Sequence, residues 1–123
     1  MLPEKLLQVL QHEGVAAIAT QGEDGPHLVN TWHTYIQTGA ADTLLFPAGG
    51  MERTEQKVAR NNRVILTVGS REVEGFHGPD TGFLIEGKAA FHKDGPAFEA
   101  VKSKHPWARA AVEITGVSAV QTL

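Results

Sequence analysis

Apolar residues recur with a helical period near the start of the chain and with strand-like periods over most of the rest. Leu6, Leu7 and Leu10 are spaced as on one face of a helix. Gly14 then supplies a typical C-terminal stop. The pattern therefore predicts a first helix over about residues 3–13.

Six runs rich in β-branched and aromatic residues predict strands, and the Asp24-Gly25 step between the first two is a hairpin signal. Two short helices are predicted at 54–61 and 95–104. Many strands, few helices and tight turns favour a mainly β domain over residues 1–123, an antiparallel barrel with short peripheral helices. The predicted strands are residues 15–20, 27–36, 43–48, 64–70, 83–92 and 111–119.

Composition narrows the class of protein further. A length of 123 residues with 41% hydrophobic residues is sufficient for one core. The 11 basic and 14 acidic residues give a net charge of −3, which argues against a nucleic-acid partner. Absence of cysteine excludes disulfides and thiolate chemistry. The longest apolar run, 15–19, is too short for a membrane helix, and no secretory signal is visible, so we expect a cytoplasmic protein.

A Gly-Gly turn between a predicted strand and a predicted helix is the first candidate for ligand chemistry. Glycines let backbone N–H groups approach a ligand, and a helix N-terminus offers unpaired donors. Arg53 and Thr54 follow this turn and are able to bind a phosphate. The alternative is an ordinary turn with a threonine N-cap, since the segment matches neither the Walker sequence nor the dinucleotide fingerprint.

The polar and aromatic segment 30–35 is the second candidate. Period-two alternation puts Asn30, Trp32 and Thr34 on one face and the other three residues on the opposite face. Such a pattern is typical of a surface that binds a flat heterocycle with hydrogen-bonding edges. The alternative is a half-buried sheet face with a solvent-facing His33.

Other kinds of site are disfavoured. The six histidines lack metal-binding spacing, so no metal site is predicted, and no serine lies in a nucleophile elbow. Trp107 follows Pro106 after a predicted helix, a position typical of a core or interface anchor.

Long stretches of the chain resemble a known family. Residues 14–32, 49–51, 81–85, 107–111 and 121–123 are similar to the small FMN-binding proteins of anaerobic sulfate-reducing bacteria, and the resemblance covers essentially the whole chain. These proteins belong to the FMN-binding split-barrel group, with pyridoxamine phosphate oxidase and several flavin reductases. The resemblance implies a six-stranded split barrel, non-covalent FMN and a homodimer.

The resemblance also implies a cofactor site. Residues 30–32 would meet the phosphate and the ring system, and residues 47–51 would lie along the isoalloxazine and ribityl chain. Arg53 and Thr54 would close on the phosphate, and aromatic side chains, including Trp107 of the partner subunit, would lie near the ring. The implied residues are Asn30, Thr31, Trp32, Tyr35, Pro47, Ala48, Gly49, Gly50, Met51, Arg53, Thr54, Glu13, Trp107 and Leu123.

Departures from the family pattern are few. Arg53 stands where lysine is common, which keeps the charge but allows bidentate contacts. His33 stands where asparagine is usual, and the segment 103–106 is one residue longer.

The resulting hypothesis is an FMN protein that exchanges electrons with a redox partner such as a cytochrome. A first alternative is a flavin-dependent oxidase or reductase acting on a small molecule, with His33 and Arg109 as the candidate polar groups. A second is a non-catalytic flavin-binding module.

Overall fold

The computed structural model describes all 123 residues, which form one open antiparallel sheet with three short helices. The sheet order is β2-β1-β5-β6-β7-β4-β3, so β2 and β3 are its edges. None of the helices is long and apolar enough to cross a bilayer. In chain order the elements are α1 (Glu4–Gln11), β1 (Val15–Gly22), β2 (Gly25–Trp32), β3 (Gln37–Thr38), β4 (Leu44–Ala48), α2 (Glu52–Arg60), β5 (Arg63–Ser70), β6 (Thr81–His92), α3 (Gly95–Lys104) and β7 (Ala110–Gln121).

The predicted mainly β, antiparallel fold class with peripheral helices is confirmed. All six predicted strands are present, and the seventh is the two-residue β3, which pairs with β4. No pairing joins β2 to β3, so the sheet is not closed by hydrogen bonds. The predicted hairpin joins β1 to β2, with Gly25 at a φ of 105° in its turn.

The predicted strand 27–36 is wrong at its end, because β2 stops at Trp32 and a 3-10 turn covers His33–Tyr35. The His33 side chain is fully buried, which corrects the solvent-facing alternative. The backbone N–H of His33 donates to the Gly14 carbonyl at 2.9 Å, and the ring Nδ1 lies 2.9 Å from the His12 carbonyl oxygen. The chain therefore leaves the sheet to bury this imidazole beneath the end of α1.

The second predicted helix is two residues too short at its start, since α2 begins at Glu52. Met51 occupies the N-cap position in the left-handed conformation, with φ 65° and ψ 31°. Thr54 therefore lies inside the first turn, and its side chain makes no capping bond, which corrects the threonine N-cap alternative. A non-glycine residue in this conformation is uncommon and marks a constrained turn.

The main core lies between the inner sheet face and α1, which buries Leu6 and Val9. Alternation along the strands sends Ile18 and Leu66 inward, while their neighbours face out. A second small cluster, with Val101 of α3 at its centre, covers the start of β7. This second cluster holds the segment that carries Trp107 against the end of β4.

We predict that Gly14→Ala destabilises the protein by about 1–3 kcal/mol. A Cβ on Gly14 would lie 2.7 Å from Cε1 of the His33 ring, which is fully buried and held by the His12 carbonyl. Chemical denaturation followed by circular dichroism measures the change. Gly50→Ala is the control, because its Cβ would meet only the Glu52 carboxylate at 3.5 Å. An equal effect of the two substitutions would contradict the prediction.

Candidate functional site

An aromatic cluster lies beside the Gly-Gly turn that follows β4. The ring of Tyr35 lies 5.0 Å from that of His105 and 5.5 Å from that of Trp107, centroid to centroid. A Cβ on Gly49 would lie 3.2 Å from the Trp107 ring, so the glycine allows the indole to approach the backbone. Trp107 is 53% exposed, so it is not a core residue. The cluster thus presents electron-rich rings to solvent at the edge of a turn with free backbone groups.

Arg109 holds this turn in place. Its Nε and Nη2 donate to the Gly50 carbonyl at 3.0 and 2.7 Å, and its Nη1 donates to Glu55 at 2.9 Å. Burial raises the pKa of Glu55, but hydrogen bonds from Arg109 and Lys93 outweigh it, and the pKa lies below its usual value. One guanidinium therefore joins the turn, α2 and the segment after Trp107.

Helix α2 carries two cations on the face that meets the β1–β2 hairpin. Arg53 and Lys57 are four residues apart, so they lie on one side of the helix. Arg53 donates to Asp24 of the hairpin turn at 3.2 Å, and Lys57 donates to the other oxygen of the same carboxylate. The hydrogen bond from Lys57 is the main cause that lowers the pKa of Asp24. Only 10% of the Lys57 side chain is exposed, so a charged group is buried at this point.

Two buried hydroxyl groups near these cations have no hydrogen-bond partner. Thr54 lies between Arg53 and Lys57 on α2, and its Oγ1 is unpaired, as is Oγ1 of Thr20 on β1. Thr20 precedes Gly22 by two residues on the same face of β1, and Gly22 lies against the Lys57 ammonium group. Buried hydroxyls are normally hydrogen-bonded, so each unpaired one indicates a missing acceptor or donor.

The donors at this point fit a phosphate monoester. Arg53 and Lys57 supply charge, Thr54 supplies a hydroxyl, and the first-turn N–H groups of α2 are oriented toward the same end of the helix. A phosphate ester carries three acceptor oxygens and a charge of about −1.5 to −2 at neutral pH. The cleft between α2 and the hairpin, about 1020 Å³ in volume, is lined by Arg53 and Lys57, while Thr54 lies buried outside its lining.

Side chains at the end of β2 alternate between the two faces of the sheet. Asn30 and Trp32 are exposed, while Thr31 is buried, as the predicted alternation requires. Trp32 pairs with Val15 at the end of the sheet. The Glu13 carboxylate accepts a hydrogen bond from the Thr34 hydroxyl at 3.1 Å, so Glu13 lies beside the 3-10 turn that carries Tyr35.

Apart from Glu13 and residues 30–32, the predicted site residues fall into two groups, with Leu123 as an outlier. Tyr35, Trp107 and the turn of residues 49–51 lie together, and Arg53 and Thr54 follow directly on α2. Pro47 and Ala48, at the end of β4, are buried and pair with the start of β7. Because Trp107 contacts Gly49 within one chain, no second chain is needed for this contact, and the assignment of Trp107 to the partner's site stays a prediction.

Leu123 is the outlier. Strand β7 begins at Ala110, beside Ala48, and ends twelve residues later at Gln121. Leu123 follows and is held by Thr81 and Gln121, whose side chains donate to its carbonyl at 2.8 Å. Leu123 therefore lies beyond the opposite end of β7 from the segment that carries Trp107.

Sequence reasoning missed Lys57 and its partner Asp24. The signal was present, because Lys57 lies one helical turn after Arg53. The lysine was not singled out since a cation on a short polar helix is normally solvated. The burial of Lys57 depends on the hairpin that folds over it, and this contact joins residues 33 positions apart.

Fold and site together define an antiparallel split-barrel protein with two cations, Arg53 and Lys57, on the helix that follows the Gly-Gly turn. The family model for pyridoxamine 5'-phosphate oxidase matches residues 2–121, and the chain belongs to this family.

Individual relatives agree with this assignment. A protein of Nitratidesulfovibrio vulgaris (strain DSM 19637 / Miyazaki F) named FMN-binding protein is 58% identical over 123 residues, the full length of both chains. The crystal structure of HupZ from Group A Streptococcus has a TM-score of 0.75 at 17% identity, over 93% of this chain and 88% of that one. An FAD-binding protein of Mesorhizobium loti has a TM-score of 0.65 at 17% identity, over 100% and 96%. The two structures share the fold.

We predict that Thr54→Val stabilises the ligand-free protein by about 1 kcal/mol, because it removes a buried hydroxyl that has no partner. Urea unfolding of the ligand-free protein gives the change in free energy. The matched control is Thr81→Val, whose hydroxyl is equally buried but donates to the Leu123 carbonyl at 2.8 Å. The control should lose about 1 kcal/mol. Destabilisation by both substitutions would show that the Thr54 hydroxyl has an acceptor in the folded chain.

Proposed function

We propose that this protein binds FMN non-covalently and exchanges electrons with a redox partner protein. The observation that carries the proposal is the unpaired, buried Thr54 hydroxyl in the first turn of α2, the helix that also carries Arg53 and Lys57, next to a turn beside Tyr35 and the exposed Trp107 ring. The relative that is 58% identical over the whole chain, and is named for FMN binding, supports the same cofactor.

Different residues of the chain bind different parts of the cofactor. Arg53, Thr54 and Lys57 hold the phosphate, while the turn of residues 49–51 offers backbone N–H groups to the rest of the cofactor. Tyr35 and Trp107 pack near the ring system. FMN, when bound, supplies one- and two-electron transfer, and the protein sets its position and electrostatics.

Electron transfer is favoured over turnover of a small substrate by the state of the polar groups. His33, one candidate for substrate contact, is completely buried and bound to backbone. Arg109, the other candidate, uses its guanidinium on Gly50 and Glu55. Burial, with Lys104 adding to it, lowers the pKa of His105. Neither polar side chain singled out from the sequence, His33 or Arg109, is therefore free to contact a small substrate.

A stopped-flow experiment separates electron transfer from the two alternatives. Protein loaded with FMN is reduced chemically without oxygen and then mixed with a c-type cytochrome, and the flavin absorbance is followed. We expect reoxidation that depends on cytochrome concentration, and no reduction of the oxidised protein by NAD(P)H. Rapid reduction by NAD(P)H would support a reductase. A flavin that exchanges electrons with neither would support a non-catalytic binding module.

We predict that Arg53→Ala weakens FMN binding about tenfold to a hundredfold and leaves riboflavin binding nearly unchanged. The reason is that riboflavin lacks the phosphate which Arg53 would contact. Dissociation constants come from calorimetric titration of the ligand-free protein with each flavin. Arg71→Ala removes the same charge from an exposed position with no ion pair, so it controls for net charge. Equal losses for both flavins would place the phosphate elsewhere.

We also propose that the protein forms a homodimer, and the outer face of the sheet supports this. On this face Leu28 and Ile65 flank Ala19 across three strands, and Leu28 is 70% exposed. Trp32, 46% exposed, continues the apolar surface beside Val15. Contiguous exposed apolar surface is typical of protein interfaces.

We predict that Ile65→Glu converts the dimer into a monomer, because it buries an unpaired charge in the apolar face. Sedimentation velocity at several protein concentrations measures the oligomeric state. Ser103→Glu adds the same charge on α3, away from this face, and should leave the dimer intact. A dimer that persists in Ile65→Glu would mean that copies associate through another surface.

A further inference from the structure

Asp24 is the only carboxylate that contacts Arg53 or Lys57, the two cations of the proposed phosphate site. Asp24 lies in the β1–β2 turn, with one oxygen bound by Lys57 and the other by Arg53 at 3.2 Å. The two cations project from α2 one helical turn apart. The carboxylate therefore bridges the same two groups that an incoming phosphate would use.

We propose that Asp24 competes with the flavin phosphate for Arg53 and Lys57, and so sets how strongly the protein prefers FMN to riboflavin. This inference rests on the proposed phosphate site. A phosphate dianion and a carboxylate carry about three negative charges together, which two cations cannot neutralise. One anion must therefore withdraw, or both must share weakened contacts.

Asp24 is the group that is able to withdraw. Its side chain is 65% exposed and lies in a tight turn, next to Gly25 with φ 105°. Lys57, by contrast, is fixed on a helix with only 10% of its side chain exposed. Moving Asp24 returns an exposed carboxylate to solvent and leaves Lys57 to pair with the phosphate, whereas moving Lys57 would disturb the packing of α2 on the hairpin.

The competing carboxylate also has a structural use. Lys57 is buried, and a buried ammonium group without a counter-ion is strongly destabilising. Asp24 supplies that counter-ion in the ligand-free protein, and the phosphate supplies it once FMN is bound. The chain thus exchanges one anion for another at the same lysine, and it loses part of its phosphate affinity in doing so.

The test compares Asp24→Asn with Glu23→Gln. Asparagine keeps the shape of aspartate and is favoured in turns, so the hairpin is retained. Glu23 is the neighbouring turn residue, and its substitution removes one charge from the same cleft without breaking an ion pair. Circular dichroism and thermal unfolding check the fold of each variant. Dissociation constants for FMN and for riboflavin are then measured by calorimetry on each ligand-free protein.

We expect Asp24→Asn to bind FMN about three- to tenfold more tightly than Glu23→Gln does, and riboflavin with unchanged affinity. Unchanged or weaker FMN binding by Asp24→Asn would overturn the proposal, since Asp24 would then be neutral or would position the cations. An equal gain for riboflavin would also overturn it, because the effect would not act through the phosphate.

A failure of the underlying phosphate site would look different. In that case the unaltered protein would bind FMN no more tightly than riboflavin, whatever the variants do. As a second measurement, inorganic phosphate is added as a competitor of FMN. We expect phosphate to inhibit FMN binding at lower concentration in Asp24→Asn than in the unaltered protein, and equal inhibition in both would count against the competition.

Discussion

The geometry of the site depends on the hydrogen bonds of the Arg109 guanidinium group. It binds the Gly50 carbonyl twice and the Glu55 carboxylate once, so it ties a flexible turn, a short helix and the Trp107 segment to one another. The backbone N–H of Arg109 donates to the Ala48 carbonyl at the end of β4. A glycine pair is conformationally free on its own, and this side chain replaces that freedom with one fixed arrangement.

The groups of the proposed phosphate site depend on a second constraint, the burial of Lys57 beneath the hairpin. Burial of a charge is costly unless it is paired, so α2 and the β1–β2 turn must stay together for the lysine to keep its counter-ion. The same contact places Thr54 at the inner side of α2, where its hydroxyl lies out of reach of water. Ligand recognition and the attachment of α2 to the sheet therefore share the same residues.

Much of the fold was predictable because it follows from local patterns. Alternating apolar residues place β1 and β5 correctly, and the Asp24-Gly25 turn joins β1 to β2 as expected. The end of β2 was not predictable, because His33 fits the strand pattern. Its departure from the sheet depends on a hydrogen bond from its backbone N–H to the Gly14 carbonyl, a contact between distant residues.

The candidate site likewise contains residues that local sequence predicts and residues that only contacts between distant segments bring together. Arg53, Thr54 and the Gly-Gly turn are close in sequence, so local reasoning found them. Local patterns singled out Tyr35 and Trp107 separately, only the family resemblance assigned both to the flavin ring, and the structure places them together. Lys57 and Asp24 escaped notice because their pairing depends on a contact across 33 residues. Leu123 is held at the far end of β7, a distance that no local pattern reveals.

The position of β2 at the edge of the sheet has a consequence for how copies of the chain avoid aggregating. An edge strand of eight residues exposes unpaired N–H and C=O groups, which form a template for a foreign strand. Pro26 lies at its start and has no N–H to donate, so the pairing ladder that a neighbour could build is one bond short. The apolar side chains of β2 point across the sheet face and not along this edge. Addition of a foreign strand at this edge is therefore weakened by one hydrogen bond.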